Sequence, residues 1–131
     1  MTTVKTHDRI NKSLCGNPVE TGPGRAKLEL TAIESMIVDS LGLVHGGFIF
    51  GLADHAAMVA VNHPNVVLAG ADVKFLKPVV PGENLVADAL VTEDTGKRQT
   101  VTVTVKRDDD IIFQGIFACA VPERHVLEPR K

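Results

Sequence analysis

The chain has 131 residues, 44% of them hydrophobic and 23% charged, with a formal net charge of -2 at pH 7. That is chain enough for one soluble globular domain and too little for two ordinary ones, so a single domain over 1–131 with a core at about 25–121 is expected. The charge supplies no basic field for nucleic acid or an anionic lipid surface, and five Phe with no Trp or Tyr offer little to stack on bases.

The opening MTTVKTHDRINK has no apolar core of a secretory signal. The longest apolar run is interrupted by Asp54 and falls short of the roughly 20 residues that span a bilayer. Cys15 and Cys119 are far apart and outside any CxxC pattern, as expected of reduced, packed thiols in a cytoplasmic protein.

Residues 3–14 are polar and leave room for a short helix. GNPVETGPG, 16–24, reads as a loop by its Gly and Pro content. RAKLELTAI, 25–33, alternates, with Leu28 and Leu30 opposite Lys27 and Glu29, and predicts a half-buried strand. After an irregular connection, 46–61 predicts a helix with apolar groups on nearly every side, hence buried all round. Pro64 in NHPN stops it. Strands follow at 66–78, 84–93, 98–107 and 111–121, separated by VVPGE, DTGK and DDD. RQTVTVTVKR has the cleanest period of two, and Gly115 marks a bulge or a close contact. The pattern predicts an α+β fold: one long buried helix wrapped by a curled antiparallel sheet of about five strands. A single sheet face cannot cover a helix apolar on all sides, so a second copy of the chain is the economical closure.

The helix carries an anomaly. In HGGFIFGLADHAAMVAVN, 45–62, Asp54 has no Lys or Arg within the segment, and a buried carboxylate is costly unless it is paired or has a task. Gly46 and Gly47 stand at the helix start, where backbone N–H groups lack partners and the dipole is positive. Without side chains they admit a ligand carbonyl, as an oxyanion hole does. Asp54 lies eight residues further, roughly 12 Å along the axis at about 1.5 Å per residue. One helix cannot aim both groups at one carbonyl; two antiparallel helices across a two-fold axis can.

The run HGG-FIFG-LAD-HAAMVAVN, followed by ADVKFLKPVVPGE, resembles the hot-dog-fold acyl-CoA thioesterases, in particular the phenylacetic-acid-pathway type. The resemblance implies hydrolysis of an acyl-CoA thioester to free acid and coenzyme A, with no cofactor beyond the coenzyme A of the substrate. It implies that the Gly46 amide polarises the thioester carbonyl while Asp54 of the opposing subunit acts as general base or nucleophile, in a homodimer or a dimer of dimers. Many relatives carry Asn or Gln six residues before the HGG histidine. Asp39 stands there, and a carboxylate near Asp54 would raise one of the two pKa values. The strand start at Lys97 and Arg98 corresponds to a region near the coenzyme A nucleotide in relatives. His45 and Gly47 are further candidates for holding the substrate.

Blander roles stand beside these. His45 can cap the helix, the glycines can form only a tight turn, Asp54 can be solvated, and Lys97 and Arg98 can be a solvated hairpin. Lys74 and Lys77 are weaker phosphate candidates, and Phe48, Phe50, Met58 and Phe75 can line an acyl pocket or simply pack. His7 and His125 read as exposed. His55 and His63 do not have metal-ligand spacing, so no metal is expected. Two other functions fit the same fold: an enoyl-thioester hydratase or dehydratase using Asp39 and His45, whose usual extra loop is not recognisable here, and a silent acyl-CoA-binding module. The strands from VVLAGADVKF onward resemble the malonyl-CoA-sensing repressors, but 24 residues before the first expected strand leave no room for their DNA-binding domain, and those repressors lack the helix acid.

Overall fold

The computed structural model describes residues 1–128. In chain order they form a one-turn helix α1 (Lys12–Cys15), strands β1 (Asn17–Gly22) and β2 (Arg25–Thr31), a 3-10 turn (Glu34–Met36), the long helix α2 (Gly46–Val61), and strands β3 (Val67–Phe75), β4 (Asn84–Asp94), β5 (Arg98–Arg107) and β6 (Asp110–Ala120). The strands make one sheet of order β1-β2-β4-β5-β6-β3 in which every neighbouring pair is antiparallel.

Period-two burial fixes which face of that sheet meets the helix. Val101, Val103 and Val105 of β5 are fully buried, while Thr102 and Lys106 face solvent. The register extends the rhythm sideways: Leu28 pairs with Ala87, Ala87 with Val105, and Val105 with Phe113. Burying each Val or Phe of such a row contributes about 1.5–3 kcal/mol. Small residues on both sides, Ala87 and Ala89 on β4 and Ala53, Ala56, Ala57 and Ala60 on α2, let the helix sit close against the sheet. α2 packs mainly on β2, β4 and β5.

This is the expected hot-dog architecture, with six strands instead of about five. The extra strand is β1, cut from the segment that reads as a loop. Pro18 cannot donate to a ladder and is tolerated because β1 is a sheet edge with its register broken between Pro18 and Glu20. Pro23 and Gly24, the latter at φ 69°, form the two-residue turn into β2. Gly96 at φ 86° makes the corresponding turn between β4 and β5, its amide donating to Asp94 Oδ1 at 2.7 Å.

The helix is not buried all round within one chain. Gly47 is exposed and Phe50, Gly51, Asp54 and Val61 are half-buried, a single stripe at helical spacing. Asn62, at φ 53°, ends the helix in the left-handed conformation, its amide bonded to Met58 O. No helix among the described residues is long and apolar enough to cross a membrane.

Gly115 marks a close contact and not a bulge. A Cβ there would lie 2.6 Å from Val73 Cγ1 and 2.9 Å from Phe117 Cε1, while the register of β6 shifts elsewhere, between Val105 and Lys106 of β5. Gly115→Ala is therefore expected to destabilise the fold by about 1–3 kcal/mol through overpacking. Urea unfolding monitored by circular dichroism checks this; an unchanged midpoint would mean that β3 moves away at no cost.

Candidate functional site

Asp54 sits on the open stripe of α2, yet its Oδ1 is shielded from solvent and has no hydrogen-bond partner. Among the described residues no Lys, Arg or His forms an ion pair with it. Burial pushes its pKa above the ordinary carboxylate range, and His7 pulls in the opposite direction. The carboxylate opens on a cleft of about 470 Å³ that it shares with Lys5, Thr6, His7, Met58 and Val67.

Its neighbours are held neutral. His55 is 2% exposed, and its Nδ1 lies 3.1 Å from Cys15 O. A carbonyl can only accept, so Nδ1 carries the proton and donates. Burial lowers the His55 pKa, which keeps the ring uncharged. Burial and then the Asp54 charge raise both thiols, Cys15 upward and Cys119 to about 11. Both cysteines are free, Cys119 buried and Cys15 half-buried, so neither is a ready thiolate. Among the described residues no group of three His, Cys, Asp or Glu is placed to hold a metal ion.

The other end of α2 is built differently. His45 is the N-cap by position, at φ -61° and ψ 131°, but its side chain makes no capping hydrogen bond. Its ring lies against Gly47, where a Cβ would come within 2.8 Å of it, and meets Phe48 edge-on at 6.2 Å. Among the described residues no acceptor reaches the Gly46 or Gly47 amide, as expected at a helix start. Gly46 borders an apolar groove of about 300 Å³ formed with Leu43, Ile49, Phe75, Leu76 and Pro78. Lys77 borders it too, with Nζ engaged by Asp110 Oδ1 at 2.9 Å.

A Cβ on Gly46 would lie 3.2 Å from Phe75 Cε2. Phe75 is 55% exposed and can yield by a few tenths of an ångström. Gly46→Ala should therefore keep the parent melting temperature while narrowing the groove, raising KM and lowering kcat for an acyl thioester. Thermal unfolding and initial rates check this together; unaltered kinetics would take Gly46 out of the site.

The remaining sequence candidates are spread out. Asp39 borders neither the groove nor the cleft. Its Oδ1 accepts from the Leu41 and Leu43 amides, each at 3.0 Å, and so shapes its own loop. Asn can accept through the same oxygen, so Asp39→Asn is expected to leave folding intact and activity at neutral pH equal or higher; complete inactivation would make Asp39 itself the essential base. Lys97 and Arg98 are exposed at the β4–β5 hairpin. Arg98 pairs with Ala120 and Ala120 with Val67, which borders the Asp54 cleft, so the two cations lie at that end of the sheet. Phe50 packs against Phe117 at 5.5 Å, Met58 is buried at the floor of the Asp54 cleft, and Phe75 borders the groove. His125 is exposed as expected, but His7 is half-buried and borders the cleft. No periodicity around MTTVKTHDRINK could have revealed that.

Comparison with known proteins places this geometry in context. The model of the thioesterase superfamily matches residues 41–113, which contain both Gly46 and Asp54. The crystal structure of an uncharacterized protein from Pyrococcus horikoshii is similar at 49% identity, covering 97% of this chain and 98% of that one, with a TM-score of 0.95. The PaaI protein of E. coli, from the phenylacetic acid degradation operon, has the same fold at 21% identity and a TM-score of 0.81, covering 91% of this chain and 88% of that one. A methylthioribose-1-phosphate isomerase of Aquifex aeolicus is 53% identical over 114 residues, which are 87% of this chain but 25% of that protein. Transcription factors matched at 29% identity are likewise spanned only to 48%, so the chain spans between a quarter and about half of the length of these curated relatives.

Proposed function

Because the chain belongs to the thioesterase superfamily, we propose that it hydrolyses an acyl-CoA thioester to free acid and coenzyme A, in an active site shared between two copies. The observation that carries this is the division of labour along α2. The unsatisfied Gly46 amide borders one cavity, the unpartnered Asp54 carboxylate borders another, and about 12 Å of helix separates them.

The edge strand supports a two-fold arrangement. β3 lies at the end of the sheet beside β6 and is mostly exposed, which leaves one row of its N–H and C=O groups free to pair. Phe75 borders the Gly46 groove and Val67 the Asp54 cleft, roughly 26 Å apart along the strand at about 3.3 Å per residue. Antiparallel pairing of β3 with its copy sets the Gly46 end of one chain beside the Asp54 end of the other. The open stripe of α2 is covered by the same contact.

The chemistry then follows. The Asp54 carboxylate takes a proton from water as the water oxygen attacks the thioester carbonyl. The Gly46 amide of the other subunit donates to the oxygen as it gains charge. The C–S bond breaks, coenzyme A leaves as thiolate, and the proton that Asp54 took from water passes to the thiolate sulfur, leaving Asp54 as the carboxylate again. Lys97 and Arg98, exposed at the Asp54 end of the sheet, are the cations we assign to the coenzyme A phosphates. Direct attack by Asp54 through an acyl anhydride is the other route; where water opens that anhydride at the Asp54 carbonyl, hydrolysis in ¹⁸O water under single turnover leaves the label in Asp54 and not in the released acid, whereas general-base hydrolysis labels the acid.

Thiol release across a panel of acyl-CoA thioesters tests the function. Loss of an enoyl thioester without thiol release would indicate a hydratase, and tight binding with no turnover a silent binding module. Either result would end the thioesterase reading.

A further inference from the structure

The segment of residues 2–8 has no evident role in the sequence, but the structure ties it down at two points. The Thr2 amide donates to Thr21 O at 3.2 Å, and Thr21 Oγ1 donates to Thr2 O at 2.6 Å. Further along, Asn62, the residue that ends α2, accepts from the Lys5 amide at 2.7 Å and donates to Thr3 O at 2.8 Å. The strap is thus fastened to β1 and to the end of the catalytic helix. Beyond these ties it delivers His7 to the Asp54 cleft.

His7 is held in an unusual way. Its backbone is left-handed at φ 53°, a conformation that costs a residue with a side chain about 1–3 kcal/mol and persists where the surroundings impose it. Thr6, 5% exposed, bonds His7 Nδ1 through Oγ1 at 2.7 Å. The His7 ring stacks on His55 with centroids 6.1 Å apart and planes at 22°. His55 has its pKa lowered by burial and is bonded to Cys15 O, so it sets no positive charge against the His7 ring.

We propose that His7 is a positioning residue for Asp54: its imidazolium holds the neighbouring carboxylate as the anion that takes the proton from water, and so sets how far into acid the enzyme works. The assignment of turnover to Asp54 rests on the function proposed above; the placing of His7 and Asp54 on one cleft does not. A half-buried carboxylate without a hydrogen bond is pushed toward its neutral, inert form, and His7 is the group that opposes this. The other titratable groups around Asp54 do not replace it. Lys5, Asp8 and His125 border the same cleft but are exposed in the single chain, where solvent screens their charge. His55 on the same helix, Cys15 at the end of α1 and Cys119 on β6 are uncharged, and Lys12 acts on His55.

The test uses His7→Asn, since Asn tolerates the left-handed backbone, and His7→Lys, which keeps a positive charge. Removing a positive neighbour raises the carboxylate pKa, so the acid limb must move to higher pH. For His7→Asn, kcat/KM should fall about tenfold at about pH 5.5 and match the parent on the alkaline plateau of the profile, beyond the acid limb. His7→Lys should follow the parent profile throughout. The Asp54 carboxyl carbon, followed by ¹³C NMR, should titrate at higher pH in His7→Asn. An unmoved carboxyl titration would overturn the proposal, as would a loss of equal size at every pH in both variants, which would make His7 a packing residue. If the parent releases no thiol from any acyl-CoA, the thioesterase reading fails, and the carboxyl titration still decides on His7.

Discussion

Asp54→Asn is expected to remove most turnover, lowering kcat by about 10²–10⁴-fold, the usual contribution of a positioned general base. The amide keeps the shape of the carboxylate, and its neighbours Leu52 and Met58 are set in the core by their own contacts, so substrate binding should survive. KM should change little, because what is lost acts on the transition state and not on the bound thioester. The Gly46 amide belongs to the backbone and remains in place, so a residual rate above water is expected. Steady-state rates on the best acyl-CoA substrate decide. Turnover equal to the parent would move the silent binding module ahead of the enzyme.

The same substitution should alter stability with a definite sign. Burial raises the Asp54 pKa, so the folded chain binds this proton more tightly than the unfolded chain does. Ionised Asp54 then costs stability above its folded pKa, and the cost vanishes below the unfolded value. Asn carries no charge at any pH. Asp54→Asn should melt above the parent at pH 8, with the gain disappearing as the pH falls through the raised folded pKa toward the ordinary carboxylate range. Higher stability with lost turnover is what a residue kept for chemistry produces. A gain that grew toward acid would contradict the burial of this charge.

Much of this was legible in the residues, for reasons that can be named. The helix 46–61 and the strand 98–107 are bounded as expected, because local signals agree at both ends: glycines and Pro64 around the first, DTGK and DDD around the second. β1 escaped because Pro18 and the flanking glycines are loop signals, and only its place at the sheet edge makes them compatible with a strand. Asp54 stood out because no cation shares its segment. His7 did not, because the strap is fixed by contacts between distant residues, Lys5 with Asn62 and Thr2 with Thr21, and single-segment periodicity carries no trace of those. Asp39 is a candidate neighbour of the opposing subunit's Asp54 through the resemblance alone, and within one chain its Oδ1 accepts from two amides of its own loop.

Complementation between two inactive chains should give the most direct evidence of a shared site. Gly46→Leu places a branched side chain in the groove beside Phe75, where even a single Cβ would already lie 3.2 Å from the ring, so the homodimer should be blocked at both carbonyl sites. Asp54→Asn homodimers lack both bases. In a mixed dimer, one site receives Asp54 from the Gly46→Leu chain and Gly46 from the Asp54→Asn chain, and is wholly intact; the other collects both defects. Random reassortment of equal amounts puts roughly half of the chains into mixed dimers with one working site of two, so about a quarter of parent activity should return under two-fold pairing. The two proteins are unfolded together, refolded together and assayed against the same proteins refolded apart. A site contained within one chain predicts no gain at all, since every chain in the mixture still carries its own lesion.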